Sequence, residues 1–206
     1  MSEIRTIGVV GAGQMGNGIA HVCALAGYNV LVNDVSQDRI DAGVSVIEKN
    51  LSRQLSKGSI SDVEMAETLA RLKSATDKSA LGEADLVIEA ATENQDVKIK
   101  IFEEICPVLR PDAFLASNTS SISITRLASA TDRPEQFIGL HFMNPVPVMK
   151  LVEIIRGLAT DQATYAMATN IAQRLGKTVT NSEDFPAFIV TDDKGGDFFA
   201  AFNDPD

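Results

Sequence analysis

The feature that most constrains the fold is a glycine-rich turn between an apolar run and a helix-like segment. Residues 4–10 form the apolar run, and residues 11–16 read GAGQMG. Apolar residues then recur at helical spacing from Ile19 to Ala26. The order of strand, glycine turn and helix predicts the first crossover of a mainly parallel α/β sheet.

Each glycine of this turn has its own expected role. Gly11 permits the tight turn, Gly13 lets backbone amides approach a pyrophosphate, and Gly16 lets the helix pack close to the strand. The first helical amides, at Gln14 and Met15, would face the phosphates at the positive end of the helix. The GxGxxG pattern alone is weak evidence, but its position between a strand and a helix predicts a dinucleotide site.

A second apolar run, residues 29–33, ends in an acidic residue, Asp34. A carboxylate at this distance from the glycine turn accepts hydrogen bonds from an adenosine ribose. It would also repel a 2′-phosphate, and the nearest arginine is Arg39, so the sequence favours NAD over NADP. The alternative is that Asp34 caps the helix that follows it.

Strand and helix patterns continue to alternate along the chain, without internal repeats. We therefore predict a Rossmann-like, doubly wound, mainly parallel sheet over residues 4–180, with a last antiparallel hairpin. The remaining predicted strands are 84–90, 113–117, 137–142, 150–155 and 177–180. The remaining predicted helices run from Ile40 to Lys57, from Ser61 to Leu72, from Val97 to Val108 and from Tyr165 to Leu175. The second of these begins with a capping box at Ser61–Glu64, and the third has the apolar face Val97, Ile101, Ile105 and Val108.

The predicted hairpin carries the most reactive pair in the sequence. Its segment reads GLHFMNPVPVMKLVEII, and Pro147 lies midway between His141 and Glu153. Antiparallel pairing about Pro147 would place the imidazole directly opposite the carboxylate. A carboxylate facing an imidazole makes it a stronger base and fixes its tautomer, as a general base for alcohol oxidation requires. The alternative is a structural histidine at a strand end.

Polar residues follow two further strands, at the edge of the sheet where ligands bind in this kind of fold. Glu93 and Lys98 follow the strand at 84–90, and the residues Asn118-Thr119-Ser120-Ser121 follow the strand at 113–117. Glu93 and Lys98 could equally form an exposed helix start, and the hydroxyls could equally cap a helix.

Composition and charge restrict the class of partner and compartment. The net charge of −10, without a basic run, argues against a nucleic-acid partner. Neither Cys23 nor Cys106 belongs to a CxxC pair, so we expect reduced thiols in an intracellular protein and no metal site. We expect a cytoplasmic location and no membrane partner, because neither a charged leader nor an apolar run of membrane-spanning length is present.

The segments GAGQMGNGIA, SNTSSISIT and GLHFMNPVPVMKLVEII, in this order and spacing, carry a family resemblance. Over residues 3–190 the chain resembles the L-3-hydroxyacyl-CoA dehydrogenases, especially the bacterial 3-hydroxybutyryl-CoA dehydrogenases. The resemblance implies reversible hydride transfer between NAD and C3 of a short-chain L-3-hydroxyacyl-CoA. It also implies an acyl-CoA substrate as the partner.

The resemblance further implies a role for each matching residue. His141 would be the general base and Glu153 its orienting partner. Ser120 would hydrogen-bond the reacting oxygen, and Asn144 would support the nicotinamide and the catalytic site. Asp34 would contact the adenosine ribose, and Glu93, Lys98 and Asn118 would lie at the nicotinamide end. Asn50 and Lys57 would contact the CoA moiety. Lys57 could instead be a solvated lysine at the end of a helix.

The sequence departs from this family towards its end. Family members continue with an Asn-Arg pair and a helical domain, whereas this chain has Thr191 at the Asn position and the tail TDDKGGDFFAAFNDPD. We expect an NAD-binding domain at 1–185, a truncated linker and non-homologous acidic tail at 186–206, no second helical domain and a largely missing dimer interface. Two hypotheses therefore stay open: an NAD-dependent 3-hydroxyacyl-CoA dehydrogenase, or an NAD-binding module that turns over little.

Overall fold

An eight-stranded sheet runs through residues 3–184, the part of the chain that the computed structural model describes. Helices cover both of its faces. The strands are β1 Thr6–Val10, β2 Asn29–Asn33, β3 Leu72–Ser74, β4 Leu86–Glu89, β5 Phe114–Ser117, β6 Phe137–Phe142, β7 Leu151–Arg156 and β8 Thr178–Glu183. The α-helices are α1 Gln14–Leu25, α2 Gln37–Ser56, α3 Asp62–Ala70, α4 Gln95–Ile105, α5 Ile124–Ala128 and α6 Gln162–Arg174, and three short 3₁₀ turns are Lys78–Glu83, Cys106–Val108 and Pro134–Gln136.

The strand order is β3-β2-β1-β4-β5-β6-β7-β8, which confirms the predicted doubly wound sheet. β1 lies at the centre, between β2 and β4, and the first six strands in chain order are parallel. β7 then pairs with β6 antiparallel, and β8 runs parallel to β7. The order in which successive strands are added to the sheet reverses between β1 and β4, so the carboxyl ends of these two parallel strands border the crevice where such folds bind ligands.

Two apolar cores pack against the opposite faces of the sheet. One contains side chains of β1, α1 and α6, among them Ile7, Ile19 and Ile171. The other contains side chains of α4 and α5, among them Phe102 and Leu127. Burying a side chain of this size stabilises the folded state by about 1.5–3 kcal/mol relative to leaving it exposed. The carboxyl edge of the central strands therefore rests on a sheet that apolar packing fixes from both sides.

Local sequence signals set several helix ends as predicted. The capping box at the start of α3 is present: the Ser61 hydroxyl accepts from the Glu64 amide, and the Glu64 carboxylate accepts from the Ser61 amide. α2 ends at Ser56 with Lys57 as its C-cap, and Gly58 follows with a positive φ of 68°. Glycine adopts this left-handed conformation without the steric cost that a Cβ would add.

Other element bounds were wrong. α3 ends at Ala70 rather than Leu72, because Leu72 begins the short strand β3, which was not predicted. α5 was also not predicted, since five residues are too few to show a helical period. The predicted inner face of α4 was right in part: Ile105 is buried and Ile101 packs against the core, but Val97 is 43% exposed and the buried residues also include Lys98 and Phe102.

Both cysteines, Cys23 and Cys106, are buried free thiols. Burial raises the pKa of the Cys23 thiol to about 12. No helix within residues 3–184 has the length and apolar character needed to cross a membrane. The predictions made for Thr191 and for the tail at 186–206 fall outside the described residues, so the domain boundary at 185 stays a prediction.

Candidate active site

The glycine turn joins β1 to α1 as predicted. Gly11 has a φ of 100°, and a Cβ placed on Gly16 would lie 1.6 Å from the Gly11 carbonyl oxygen, so only glycine fits either position. Gly13 has no atom within 4 Å of its would-be Cβ, which leaves its outer side open. Gly13 is also the N-cap of α1, and no side chain caps this helix start. The first amides of α1, including those of Gln14 and Met15, are therefore available to an anionic ligand.

A cavity of about 480 Å³ lies beside this turn, between the ends of β1, β2 and β4. Its lining includes Gly11, Asp34, Val35, Lys78 and Ala91. A cavity at the carboxyl edge, with a carboxylate on its wall, is the kind of site at which this fold binds the adenosine part of a dinucleotide.

Asp34 is 10% exposed and anchors the glycine turn to β2. Its Oδ2 accepts a hydrogen bond from the Ala12 amide at 2.7 Å, and its Oδ1 accepts one from the Val35 amide at 2.7 Å. The guanidinium of Arg39 lies 3.2 Å from Oδ1. A carboxylate has about four acceptor positions, so these three contacts leave capacity for one further donor. The alternative reading as a helix cap was wrong, because Ser36 is the N-cap of α2.

His141 and Glu153 face each other across the β6–β7 hairpin, in the predicted register. His141 Nδ1 lies 3.0 Å from Glu153 Oε2, and the two side chains are 19% and 2% exposed. A carboxylate can only accept, so the Nδ1–H donates and the basic lone pair of the neutral imidazole sits on Nε2. The geometry supports an oriented base more than an isolated structural histidine.

The loop between these strands reaches back to the glycine turn. Gln14 Nε2 donates to Asn144 Oδ1 over 3.3 Å. Asn144 and Pro147 also line a cavity of about 460 Å³ that α1 and α2 complete, with Asn50 on its wall. The β6–β7 hairpin and the glycine turn thus share one crevice.

Lys177, which sequence reasoning missed, holds this loop in place. Its Nζ donates to the carbonyls of Val146 at 2.5 Å and Met149 at 2.7 Å. Burial lowers the pKa of the lysine because it disfavours the charged form. The residue lies just before β8 and far along the chain from the loop, so no local pattern could indicate the contact.

Glu93 organises the loop that carries Ser120. One carboxylate oxygen, Oε1, accepts from three hydroxyls: that of Thr119 at 2.7 Å, that of Ser120 at 3.0 Å and that of Ser121 at 2.9 Å. The same oxygen accepts from the backbone amides of Ser120 at 2.9 Å and Ser121 at 3.1 Å. Partial burial alone would raise the pKa of Glu93, but these hydrogen bonds outweigh it and lower the pKa. The helix-capping alternative for these hydroxyls was wrong, since Ser123 caps α5.

Asp184 fixes the next turn of the same segment. Its carboxylate accepts from the Ser123 hydroxyl at 2.7 Å and from the amides of Ile124 at 2.9 Å and Thr125 at 2.7 Å. Partial burial opposes ionisation, but the hydrogen bonds prevail and lower the pKa of Asp184. The loop that carries Ser120 is therefore held by carboxylates at both ends.

A fully buried ion pair lies beneath this loop. Lys98 Nζ lies 2.6 Å from Glu89 Oε2 and 3.3 Å from the Asn118 carbonyl, and both charged side chains are 0% exposed. Glu89 also accepts from the Ser117 hydroxyl at 2.7 Å and the Ala91 amide at 2.8 Å. The alternative of an exposed helix start was wrong for Lys98.

Asn118 connects this buried cluster to β6, the strand that carries His141. The side-chain oxygen Oδ1 of Asn118 accepts from the backbone amide of Phe142, next to His141, at 2.9 Å. The backbone amide of Asn118 donates to the backbone carbonyl of Glu89 at 2.7 Å. Of the residues predicted for the nicotinamide end, Asn118 and Lys98 thus lie together and Glu93 lies in the adjoining loop. Sequence reasoning missed Glu89, because an acidic residue at the end of an apolar strand shows no partner locally.

The predicted CoA contacts, Asn50 and Lys57, lie two turns apart on α2. Asn50 is half-buried at the cavity beside Asn144, and Arg53 donates to its Oδ1 over 3.4 Å. Lys57 is exposed at the end of the helix. Within the described chain no three His, Cys, Asp or Glu side chains converge on a point that could hold a metal ion.

The comparisons with known proteins agree with this geometry. Residues 6–185 match the family model described as 3-hydroxyacyl-CoA dehydrogenase, NAD binding domain. The chain is 58% identical over 187 residues to the 3-hydroxybutyryl-CoA dehydrogenase of Bradyrhizobium diazoefficiens, covering 91% of this chain and 64% of that protein. It is 48% identical over 182 residues to the probable 3-hydroxybutyryl-CoA dehydrogenase of Deinococcus radiodurans, covering 88% and 65%.

A solved structure shows similarity to the same kind of protein. The crystal structure of (S)-3-hydroxybutyryl-CoA dehydrogenase from Ralstonia eutropha superposes with a TM-score of 0.90 and 46% sequence identity, covering 92% of this chain and 67% of that one. The chain spans less than two thirds of the length of the two curated relatives above. Because the family model covers residues 6–185, the chain belongs to the NAD-binding domain family of the 3-hydroxyacyl-CoA dehydrogenases.

Proposed function

We propose that this chain carries the cofactor and acid–base machinery of an NAD-dependent 3-hydroxyacyl-CoA dehydrogenase. The observation that carries the proposal is the 3.0 Å contact between His141 Nδ1 and Glu153 Oε2 beside the crevice of a dinucleotide fold. The reaction is reversible hydride transfer at C3 of a short-chain L-3-hydroxyacyl-CoA, such as 3-hydroxybutyryl-CoA. The names of the relatives support this substrate class.

NAD is the cofactor of the family, and the residues of this chain fit it. The uncapped start of α1 offers amides to a pyrophosphate, the open side of Gly13 permits close approach, and Asp34 has acceptor capacity for a ribose hydroxyl. The carboxylate of Asp34 would repel a 2′-phosphate, which supports NAD over NADP. When bound, NAD supplies the acceptor or donor of the hydride.

The protein's own chemical step is a proton transfer at His141. In the oxidising direction, Nε2 takes the proton of the substrate hydroxyl, and the ring becomes an imidazolium. Glu153 stabilises this cation through the Nδ1–H hydrogen bond, because a carboxylate beside a forming positive charge lowers its energy. In the reducing direction, the same imidazolium returns the proton to the substrate oxygen.

Ser120 and Asn144 orient the reactants. The Ser120 hydroxyl donates to Glu93 at 3.0 Å, so its oxygen retains acceptor capacity towards a substrate hydroxyl. Asn144 is tied to Gln14 of the cofactor turn, so a substrate held at the hairpin is placed relative to the cofactor. Positioning of this kind supplies much of the rate enhancement in a two-reactant step.

The substrate's CoA part would lie along α2. Asn50 lines the cavity of about 460 Å³ that also contains Asn144. Lys57, two turns further along the helix, presents a cation that suits a CoA phosphate. The acyl end would then point from Asn50 towards Asn144 and His141.

The test is acetoacetyl-CoA-dependent oxidation of NADH, measured beside NADH binding on the same preparation. We expect the NADH absorbance to fall only when acetoacetyl-CoA is present, with (S)-3-hydroxybutyryl-CoA as product and NADPH as a poorer reductant. NADH binding without turnover would reject the enzyme proposal in favour of the NAD-binding module. Longer 3-ketoacyl-CoA substrates in the same assay would measure the preferred acyl length.

A further inference from the structure

A row of three side chains crosses the end of the sheet on one face. His141 on β6 is in register with Glu153 on β7, and Glu153 is in register with Thr180 on β8. Side chains of registered neighbours on adjacent strands point to the same face. The Glu153 carboxylate therefore lies between the imidazole of His141 and the hydroxyl of Thr180.

Two buried polar atoms in this row have no hydrogen-bond partner among residues 3–184. They are Glu153 Oε1 and Thr180 Oγ1, whereas Glu153 Oε2 contacts His141. Buried oxygens without partners are uncommon, because losing water without gaining a protein partner is unfavourable. The two atoms are complementary: the hydroxyl can donate, and the ionised carboxylate can only accept.

We infer that Thr180 is a positioning residue whose hydroxyl donates to Glu153 Oε1. Adjacent strands lie about 4.8 Å apart, so rotation about the staggered side-chain torsions of these two residues is enough to bring the oxygens into contact. Each carboxylate oxygen of Glu153 then has its own donor, Thr180 on one side and His141 on the other.

The consequence for His141 is a fixed tautomer. A carboxylate held at both oxygens cannot turn away from the ring, so Oε2 keeps its bond to the Nδ1–H and the Nε2 lone pair stays directed at the reacting proton. The inference rests on the proposed function, in which His141 is the acid–base group. Thr180 touches neither substrate nor cofactor and acts only through Glu153.

A structural alternative is that Thr180 was selected for strand propensity, since threonine is favoured in β-strands. Thr178 provides the matched control, because it lies on the same strand, is exposed and is in register with Leu151 rather than with a carboxylate. Thr180→Val and Thr178→Val remove the same hydroxyl at nearly constant volume. Thr180→Ser keeps the hydroxyl and removes only a methyl group.

The experiment is NMR on the 206-residue chain, following solvent exchange of the His141 Nδ1–H. The chain has two histidines, so His21→Gln assigns the signals. We expect Thr180→Val to speed the exchange at least about tenfold, and Thr180→Ser and Thr178→Val to keep it within about twofold of the unmutated chain. The thermal midpoint of Thr180→Val, measured in parallel, separates a local change at the pair from general loosening.

Exchange in Thr180→Val equal to that of the unmutated chain, or equal to that of Thr178→Val, would overturn the inference. Kinetics provide a second readout: Thr180→Val should lower kcat for acetoacetyl-CoA reduction with the KM for NADH unchanged, and serine should restore it. If the chain shows no turnover, the proposed function fails, and the NMR comparison still decides the role of Thr180.

Discussion

Glu89 and Glu153 are two buried carboxylates of the same sheet in opposite settings. Glu89 accepts from Lys98, Ser117 and the Ala91 amide, and its cationic partner is 0% exposed. Glu153 contacts an imidazole that is 19% exposed. Several donors hold the Glu89 carboxylate inside the protein, which suits a structural role, whereas the partner of Glu153 is an imidazole, the side chain most suited to acid–base chemistry. The same sheet thus contains a buried structural ion pair and the proposed acid–base pair.

Breaking the Glu89–Lys98 pair should have the largest effect on stability. Glu89→Gln leaves the Lys98 ammonium buried without a counter-charge. Lys98→Met leaves the Glu89 carboxylate buried without a counter-charge. Each should lower the free energy of unfolding by about 3–5 kcal/mol, the range for removing one partner of a buried ion pair. Urea unfolding measures the loss, and Lys100→Met, an exposed lysine on α4, should change stability by less than about 0.5 kcal/mol.

Glu153→Gln is the counterpart that sharpens the comparison. The neutral imidazole of His141 can still donate to the amide oxygen, so no buried charge is left unpaired. We expect a loss of about 0.5–1.5 kcal/mol, typical of one altered hydrogen bond. If Glu153→Gln lowers the free energy of unfolding as much as Glu89→Gln in the same urea series, the proposed difference between a structural ion pair and an acid–base pair is wrong.

At the cofactor end, Asp34→Ala should weaken NADH binding about ten- to a hundredfold, since hydrogen bonds to a charged group contribute about 1.5–3 kcal/mol. The substitution also frees Arg39, which lies 3.2 Å from Asp34 Oδ1, to meet a 2′-phosphate. NADPH should therefore gain relative to NADH, and Arg39→Ala in the Asp34→Ala background should abolish that gain.

Calorimetric titration of both cofactors tests this prediction. Asp38→Ala, an exposed acid in the first turn of α2, is the matched control and should leave both affinities within about twofold. Equal affinity of the unmutated chain for NADH and NADPH would contradict the role of Asp34.

His21 is a buried imidazole without a carboxylate, and it adds a third case. Its Nε2 lies 3.3 Å from Gln54 Oε1, and Lys177 is the nearby cation. Burial, which outweighs the hydrogen bond that His21 donates to Gln54 Oε1, lowers the pKa of His21 below 6.5, and Lys177 acts in the same direction. The unfolded chain therefore binds the proton more readily than the folded one.

The stability associated with His21 is thus present above about pH 6.5 and is lost as the pH falls through the lowered folded value. We expect the urea-unfolding free energy to fall on acidification below that pH, with a slope of at most about 1.4 kcal/mol per pH unit from this group. His21→Leu should flatten the curve between neutrality and the range where carboxylates titrate. An unchanged slope in His21→Leu would assign the acid sensitivity to other groups.

The parts of the site that sequence could predict are those set by local geometry. The His141–Glu153 register follows from the symmetric placement of two apolar runs about Pro147, and the glycine turn follows from the spacing of Gly11, Gly13 and Gly16. The hairpin register depends on residues within about a dozen positions of each other, and the glycine turn depends on a single turn. At such short range, strand and helix periodicity predicts the structure well.

The supporting contacts could not be predicted in the same way. Apolar periodicity placed Val97 on the inner face of α4, whereas the buried residue is Lys98, because Glu89 on a distant strand compensates its charge. Lys177 is separated from the hairpin loop by α6, and its two carbonyl acceptors carry no side-chain signature. Contacts assembled from several elements become visible only once the topology brings those elements together.

The most direct test of the account is His141→Gln, assayed for acetoacetyl-CoA-dependent NADH oxidation together with calorimetric NADH binding. Glutamine fills a similar space but cannot transfer a proton. We expect kcat to fall by at least about a hundredfold, the lower range for losing a positioned acid–base group, with NADH affinity nearly unchanged. Turnover within a few-fold of the unmutated chain would show that His141 is a structural residue and that the reaction uses another base.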